Sequence, residues 1–499
     1  MDGREVLSLS TGDDQQPDES LALLASRAPA LRNLSALDLS VLSEITSLAP
    51  LKGMKLDWLN LSGVSEIDSL EPLRDMPLTS LNLSQAYRIT SLEPLRGSPL
   101  THLDISGITV KDLGPLRGMP LKSLKMGGTT DLDSLEVLQG MPLVELDISD
   151  TRVKDLGPLR GMPLKSLNLD RALNIASLEP LRAMPLETLS INGASRIQSL
   201  APLQGIALTD LDLSYVENIL DIEPLRGMPL ESLKLDGASS IVSLAPLEGM
   251  PLTSLSMSGA AKIESLDPLQ GMALTHLDLS SSPNIKDLEP LRGMPLESLS
   301  LAGTASITSL EPLRGMRFTS LDLSGMTGLT SLEGLEEMPL TELDISGTGI
   351  ANLEPLRGMQ LTSLNLSDTR LLVSLEPLRE MPLEAIYLSG ASKIESLEPL
   401  RGKRFSSLYL SGMTGLASLE GLQGMPLTEL DISGNVGITS LEPLRGMQLT
   451  SLDLSNVTSI TSLEPVRGMP LESLSIVGNK AIESLDPVAG LPKDAITGP

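Results

Sequence analysis

The chain has 499 residues, a net charge of −27, no cysteine and 1% aromatic residues. Without cysteine it forms neither disulfides nor thiolate metal sites, and its negative charge repels phosphate backbones and anionic lipid, so we expect no nucleic-acid or membrane partner. The sequence contains no run of about 18 apolar residues that would span a membrane. Its first twenty residues are acidic and lack the apolar segment of a signal peptide, which predicts a cytoplasmic protein.

A phrase of 22 residues, close to LTSLDLSGxxxITSLEPLRGMP, recurs about 21 times between Leu34 and Pro492. Each repeat is called a coil here, and its first residue is position 0. The coils begin at residues 34, 56, 78, 100, 121, 143, 164, 186, 208, 230, 252, 274, 296, 318, 340, 361, 383, 405, 427, 449 and 471. A period of 20–29 residues with leucine at fixed offsets is typical of a leucine-rich-repeat solenoid.

The apolar residues of each coil fall at positions 0, 3, 5, 11, 14, 17 and 20. Positions 3 and 5, such as Leu255 and Met257, alternate with polar residues, which predicts a half-buried strand. Stacked coils then form a right-handed superhelix with a curved parallel sheet on its concave side, where positions 2, 4 and 6 are exposed. Proline at position 16 and glycine at position 19 exclude a regular helix, so we expect extended chain or 3₁₀ turns on the convex side.

Three coils, which begin at Leu100, Leu143 and Leu340, have 21 residues instead of 22. In each, the missing residue falls between positions 8 and 11, outside the predicted strand. Loops tolerate such changes in length better than packed strands do, so this segment is predicted to be a loop.

Glutamate at position 15 and arginine at position 18 recur on the predicted convex side, as in Glu71 and Arg74 or Glu311 and Arg314. We interpret them as exposed ion pairs within and between coils. Such pairs contribute little to stability and favour solubility.

The ends of a solenoid must cover an open core face. Pro17–Leu31 is predicted to be a short amphipathic helix that acts as the N-terminal cap, because Asp18 or Ser20 can cap its first turn and Pro29 ends it. The predicted organisation is a tail and helical cap at 1–33, the repeat array at 34–492 and a C-terminal tail at 493–499. Little other α-helix is expected.

The pattern LxxLxLSGxxxIxxLxPLxxM resembles the internalin-type class of 22-residue leucine-rich repeats, and the recurrent PLRGMPL resembles long bacterial arrays. This resemblance implies a protein that binds other proteins through its concave face. The chain departs from the class at position 8, where only Asn435 and Asn479 are the usual asparagine. Serine at position 6, or bonding by backbone alone, is expected to replace the missing asparagine ladder.

The only two histidines, His102 and His276, are each followed two residues later by an aspartate, Asp104 or Asp278. Residues two apart on a strand point to the same side, so each pair could form a hydrogen bond or hold a cation. The two pairs lie eight coils apart and cannot share a site. We therefore predict no catalytic, cofactor or metal site, and no enzymatic activity.

The concave face is predicted to be acidic and rich in hydroxyl groups, because position 4 is often Asp or Asn and position 6 is mostly Ser. It is explained either as consensus sequence that keeps the protein soluble or as a surface for basic protein segments. The alternative is a structural array for cations, mineral, ice or self-assembly. Isolated aspartates do not supply the six to eight oxygens that Ca²⁺ prefers.

Two parts of this face break the repeat. Tyr387 and Tyr409 occupy position 4 of adjacent coils and should stand side by side, and exposed aromatic pairs are typical binding anchors. Chance substitution at a tolerant surface position would also account for such a pair. The second part is a patch around Trp58, which shares position 2 with His102 two coils away, and chance substitution would account for it equally. The partner-binding residues predicted from both parts are Tyr387, Tyr409, Asn365, Asp344, Asp431, Glu429, Trp58, Asn60, Asn82, His102 and Asp104. The sequence leaves the oligomeric state open.

Overall fold

The computed structural model describes Leu7–Ser8 and residues 34–498. It divides into two compact units, the first reaching Leu252 and the second beginning at Thr253, except that Ser243–Ala245 belong with the second. Each unit is a stack of coils in which every coil contributes one short strand to a parallel sheet. The helical cap predicted at Pro17–Leu31 lies outside the described residues.

The strands of the two units have nearly uniform length, because each strand within the repeats covers positions 2 to 4 of its coil. The first and last strands lie outside the repeats and have two residues each. In the first unit they are β1 (Leu7–Ser8), β2 (Ala36–Asp38), β3 (Trp58–Asn60), β4 (Ser80–Asn82), β5 (His102–Asp104), β6 (Ser123–Lys125), β7 (Glu145–Asp147), β8 (Ser166–Asn168), β9 (Thr188–Ser190), β10 (Asp210–Asp212) and β11 (Ser232–Lys234). In the second unit they are β12 (Ser254–Ser256), β13 (His276–Asp278), β14 (Ser298–Ser300), β15 (Ser320–Asp322), β16 (Glu342–Asp344), β17 (Ser363–Asn365), β18 (Ala385–Tyr387), β19 (Ser407–Tyr409), β20 (Glu429–Asp431), β21 (Ser451–Asp453), β22 (Ser473–Ser475) and β23 (Ile496–Thr497).

Adjacent strands pair in register, so that each position lies beside the same position of the next coil. Leu211, for example, has Leu189 and Leu233 as its Cα partners. The shorter coil that begins at Leu100 keeps this register, since His102 still pairs with Ser123. It lacks only the second of the two turns that follow the strand in longer coils. The predicted loop therefore absorbs the deletion.

On the convex side, the coil that begins at Phe318 has an ordinary turn. The other coils have single 3₁₀ turns over positions 15 to 17, or 14 to 16 in the 21-residue coils, as predicted from the proline and glycine content. They cover Ala49–Leu51, Glu71–Leu73, Glu93–Leu95, Gly114–Leu116, Glu136–Leu138, Gly157–Leu159, Glu179–Leu181, Ala201–Leu203, Glu223–Leu225, Ala245–Leu247, Asp267–Leu269, Glu289–Leu291, Glu311–Leu313, Glu354–Leu356, Glu376–Leu378, Glu398–Leu400, Glu420–Leu422, Glu442–Leu444, Glu464–Val466 and Asp486–Val488, with one more at Lys493–Ala495. The serine at position 13 fixes many of these turns, as where Ser69 Oγ accepts a hydrogen bond of 3.3 Å from the Glu71 N–H. Within the described part of the chain, no helix has the length and apolar character needed to cross a membrane.

The core is aliphatic and follows the predicted positions. In the coil that begins at Leu252, every one of the seven predicted apolar positions is buried. Alanine, valine, methionine or a small polar residue fills position 8 beside them in most coils. Phe318 and Phe405 replace leucine at position 0 and are also buried. Because each coil buries its apolar side chains against the next, stability is carried by neighbouring coils.

Side chains of several residue types at position 8 donate hydrogen bonds to backbone carbonyls. The Asn435 side chain donates to the carbonyls of Leu410 and Ile432, both at 2.8 Å, as in an asparagine ladder. Threonine takes this role elsewhere, for Thr151 Oγ1 donates to the Ile148 carbonyl at 2.8 Å. The expectation that position 6 replaces the asparagine is therefore wrong for the threonine coils, where a hydroxyl at position 8 itself meets the buried carbonyl.

The predicted convex ion pairs are present and exposed. Arg74 Nη2 lies 2.6 Å from Glu71 Oε1, and Arg445 forms the same contact with Glu442 at 2.7 Å. The hydrogen bond from the arginine lowers the pKa of each glutamate. Most pairs lie within one coil. Exposed pairs of this kind contribute little to stability because water and salt screen them.

Candidate binding surface on the exposed face of the sheet

The exposed face of the sheet, called the sheet face below, consists of the side chains at positions 2 and 4 of the strands, with position 6 beyond them. The aspartates at position 4 also hold the turn after the strand. Asp344 Oδ1 accepts a hydrogen bond of 2.8 Å from the Ser346 N–H, and Asp431 accepts the same bond from Ser433. This contact is an Asx turn. The recurrent D-x-S spacing signals it, and our sequence reasoning missed it.

Asparagine and aspartate at position 4 also bind each other across coils. The Asn60 amide donates to Asp38 Oδ1 at 3.0 Å, and the Asn365 amide donates to Asp344 Oδ2 at 2.7 Å. Both asparagines accept from the backbone of their own turns, as the aspartates do. Part of the predicted acidic row therefore has a structural role. Only the carboxylate oxygens that take no part in these bonds are available to a partner.

Tyr387 and Tyr409 are Cα partners on β18 and β19, as the repeat register predicts. Their side chains are 44% and 41% exposed. The Tyr409 hydroxyl donates to Glu429 Oε2 at 2.9 Å, and the Ser407 hydroxyl approaches the same oxygen at 3.2 Å. The bond to Glu429 and the negative charge of that carboxylate raise the pKa of Tyr409. One ring is thus held by Glu429 while both rings stay accessible.

The predicted flanking residues lie directly beside the tyrosines. Asn365 is the Cα partner of Tyr387, and Asp431 is the Cα partner of Tyr409. Asp344 lies one coil further, beside Asn365. The structure therefore brings these residues into one row on the sheet face.

The joint between β18 and β19 is looser than its neighbours. Tyr387 and Tyr409 are the only residue pair in register there, whereas β19 and β20 have three. Phe405 occupies position 0 of the coil that contains β19, where nearly all coils have the smaller leucine. Lys403 Nζ, in place of the usual methionine, donates to the Arg379 carbonyl of the preceding coil at 2.8 Å. The larger Phe405 side chain coincides with the reduced pairing of β18 and β19, whereas the Lys403 bond joins the coils of β17 and β18.

The coil that begins at Phe318, the other coil with phenylalanine at position 0, also has a weakened contact with the preceding strand. Near Phe318, the bond from the Leu301 N–H to the Asp322 carbonyl is 3.4 Å long. The corresponding bond one coil later, from Leu323 to Asp344, is 2.8 Å. A phenylalanine at position 0 therefore coincides with reduced pairing to the preceding strand in both coils.

The sheet face of the second unit carries carboxylates without basic neighbours. Positions 2 and 4 of its strands β12 to β22 contain no lysine or arginine. Their carboxylates are Asp278, Asp322, Glu342, Asp344, Glu429, Asp431 and Asp453. The field over this face is therefore negative on both sides of the tyrosine pair.

The patch predicted around Trp58 is assembled in register, since Ser80 pairs with Trp58 on one side and with His102 on the other. Trp58 is half-buried. His102 Nδ1 lies 2.9 Å from Thr101 Oγ1, whereas Asp104 Oδ1 accepts from the Ser106 N–H. The hydrogen bond that histidine and aspartate could form is thus replaced by contacts of each with its own neighbour.

The row beside Trp58 contains Asn60, Asn82 and Asp104 in consecutive coils. Asn82 Oδ1 accepts from the Ser84 N–H at 2.8 Å, so it serves a turn like the others. The equivalent histidine, His276, contacts Thr275 rather than Asp278. The described residues contain no group of three or more His, Cys, Asp or Glu placed to hold a metal ion.

Solved structures with some likeness to the chain are repeat proteins. An internalin, InlF of Listeria monocytogenes, is 18% identical, with 87% of this chain and 95% of that chain covered and a TM-score of 0.35. The functional domain of InlJ from the same organism is 16% identical over 74% and 78%, with a TM-score of 0.30. TLR13 in its complex with ssRNA13 is 21% identical over 90% of this chain and 64% of that one, with a TM-score of 0.35.

No family model and no curated protein matches the sequence. At the identities and TM-scores of the solved structures, their likeness transfers no function to this chain. Its fold follows from its own period of 22 residues and from the parallel strand that each coil adds in register. On that ground the chain is a leucine-rich-repeat array.

Proposed function

We propose that the chain is a non-enzymatic protein that binds basic segments of protein partners on the sheet face of its second unit. The observation that carries this proposal is the pair of exposed tyrosines, Tyr387 and Tyr409, in a row of carboxylates without a basic neighbour. Tyrosine offers a large rigid ring and a hydroxyl at low entropic cost, and such residues dominate interface energies.

Charge supplies the second part of the proposal. Glu429 and Asp431 lie beside Tyr409, and Asp344 lies beyond Asn365 on the other side. Carboxylates placed around an aromatic anchor attract arginine and lysine and speed their encounter. Arginine can also stack on a tyrosine ring, which makes a basic segment a better occupant than a neutral one. Its binding weakens with salt because Glu429 is exposed and the two aspartates are partly exposed.

The proposal is tested by selecting random peptides displayed on phage against the immobilised protein at low and moderate salt. Enrichment of arginine and lysine, weakened by salt, is the expected outcome. A Tyr387→Ala, Tyr409→Ala variant should lose the selected peptides, while Ser254→Ala, a change at position 2 away from the pair, should keep them. Selected peptides that lack basic residues, or that bind the tyrosine variant equally well, would contradict the proposal.

A further inference from the structure

A depression of about 320 Å³ lies where the strands of the first unit turn into their loops. It spans the consecutive coils that begin at Leu78, Leu100, Leu121 and Leu143. It involves none of the residues on the second unit's face, and basic-segment binding there does not depend on it.

The depression exists because one coil departs from the repeat. Gly127 is the only glycine at position 6, where serine is usual. A Cβ atom on Gly127 would come within 2.5 Å of Ser149 Oγ and 3.3 Å of Asp147 Oδ1, so these two side chains lie over the glycine. Gly107 and Gly128 follow in the next row, with the backbone of one close to that of the other. The floor is therefore backbone at Gly107 and Gly128, with the Ser149 hydroxyl and the Asp147 carboxylate over Gly127.

Two different walls enclose this floor. On one side the ring of Tyr87, which is 53% exposed, lies 3.7 Å from the point where a Cβ on Gly107 would be. On the other side Asp150 accepts two hydrogen bonds from the Arg171 guanidinium, one of them from Nε at 2.7 Å. A flat apolar ring thus faces a polar ion pair across a gap two coils wide.

Each of the two carboxylates that line the depression has a basic neighbour. Arg171 neutralises Asp150, and Lys125 is the Cα partner of Asp147 on the adjacent strand. Asp147 Oδ1 accepts from the Ser149 N–H at 2.9 Å, which leaves its second oxygen as an acceptor for a ligand. A strongly cationic ligand would meet Lys125 and Arg171 here. The site therefore favours a neutral ligand that is rich in hydrogen-bond donors.

We propose that this depression binds a neutral pyranose sugar unit. The C–H face of the sugar packs on the Tyr87 ring, and its hydroxyls donate to Asp147 and to the Ser149 hydroxyl. The volume lies at the lower end of the roughly 300–1,000 Å³ usual for ligand sites, which suits one ring better than an extended chain.

The test is saturation-transfer NMR on the full chain with the methyl β-glycosides of glucose, galactose and N-acetylglucosamine at millimolar concentration. At least one glycoside should receive saturation from the protein. Tyr87→Ala should reduce that signal by about fivefold, from the loss of one aromatic contact. Gly127→Ser, which restores the consensus side chain and fills the floor, should reduce it similarly.

Two controls distinguish binding in the depression from sugar contact elsewhere on the chain. Tyr215→Ala, a change of a comparably exposed tyrosine in the same unit, should leave the signal intact, as should Tyr387→Ala with Tyr409→Ala. Circular dichroism melting checks that Gly127→Ser is folded. Absence of transfer to all three glycosides, transfer that survives both Tyr87→Ala and Gly127→Ser, or a Tyr87-dependent signal from N-acetyl-arginine amide alone would overturn the proposal.

Discussion

The two units share one backbone plan but differ in the charge on their sheet faces. In the second unit, positions 2 and 4 of β12 to β22 carry carboxylates and the tyrosine pair, without lysine or arginine. In the first unit, Lys125 lies between Asp104 and Asp147, and Lys234 Nζ lies 3.7 Å from Asp212. The difference teaches that position 4 is free to change sign, because its side chain contributes little to the core. The charge of the sheet face can therefore vary along the array while the buried rows stay the same.

The first prediction concerns the buried leucine row that the two units have in common. Leu211 in the first unit and Leu277 in the second occupy position 3 and are equally buried. Leu→Ala at either site should cost about 2–5 kcal/mol, because each change removes buried methyl groups and leaves a cavity between coils. Thermal and denaturant unfolding measure the loss. Ser254→Ala, at exposed position 2, should change little, and equal effects in the two rows would refute the assignment of strand faces.

The second prediction concerns the tyrosine pair on the sheet face of the second unit. Tyr387→Ala with Tyr409→Ala should weaken binding of a selected basic peptide by about 2 kcal/mol or more, roughly 30-fold, since exposed aromatic anchors carry much of an interface's energy. The melting temperature should stay close to that of the parent, because neither ring belongs to the aliphatic core. A collapse in melting temperature would mean that the rings support the loosened joint at Phe405. Unchanged peptide binding would remove the tyrosines from the interface.

The third prediction concerns the negative charge of the sheet face beside the tyrosine pair. Asp344→Asn with Asp431→Asn should weaken peptide binding by about threefold to tenfold and flatten its salt dependence, since exposed charges each contribute up to about 1 kcal/mol. The fold should persist because asparagine keeps the oxygen that accepts the turn N–H, as Asn82 does, and only the Asn365 amide loses its acceptor on residue 344. Isothermal titration at several salt concentrations measures both effects. Binding indifferent to salt and to these substitutions would place the interface elsewhere.

The smallest expected effect is a shift in one titration. Glu429→Gln removes the charge that raises the pKa of Tyr409, so that pKa should fall toward its ordinary value. The pKa of Tyr409 is raised rather than lowered because only its neutral phenol can donate a hydrogen bond to the Glu429 carboxylate. The contribution of this bond is present at neutral pH and is lost as pH rises through the raised pKa. Difference absorbance at alkaline pH between parent and variant measures the shift, and superimposable titrations would show that Tyr409 and Glu429 do not interact.

The repeat made the regular parts of the fold predictable. The buried rows, the 3₁₀ turns and the loop that absorbs deletions all follow from hydrophobic spacing and from the positions of proline and glycine. The register also predicted that Tyr387 and Tyr409 are neighbours, because position 4 recurs at a constant interval. The sequence could not show that the pairing of β18 and β19 is reduced at the coil that begins at Phe405, since this depends on how side chains pack between coils.

Other features depended on contacts that a repeat does not reveal. The D-x-S spacing offered a signal for the turns that Asp344 and Asp431 hold, but our reasoning treated those carboxylates as surface charge. Leu7–Ser8 pairs with β2, and Ile496–Thr497 pairs with β22, although both lie outside the recognised repeats. Such short strands lack the full phrase, so hydrophobic periodicity alone does not identify them.

The central claim is that a basic segment binds beside the tyrosine pair of the second unit. Photo-crosslinking of a selected basic peptide, followed by mass spectrometry, tests it most directly. We predict crosslinks confined to peptides that contain β17 to β20, lost when Tyr387 and Tyr409 are both changed to alanine. Crosslinks on the 3₁₀ turns with their glutamate and arginine pairs, or on the strands of the first unit, would contradict the claim.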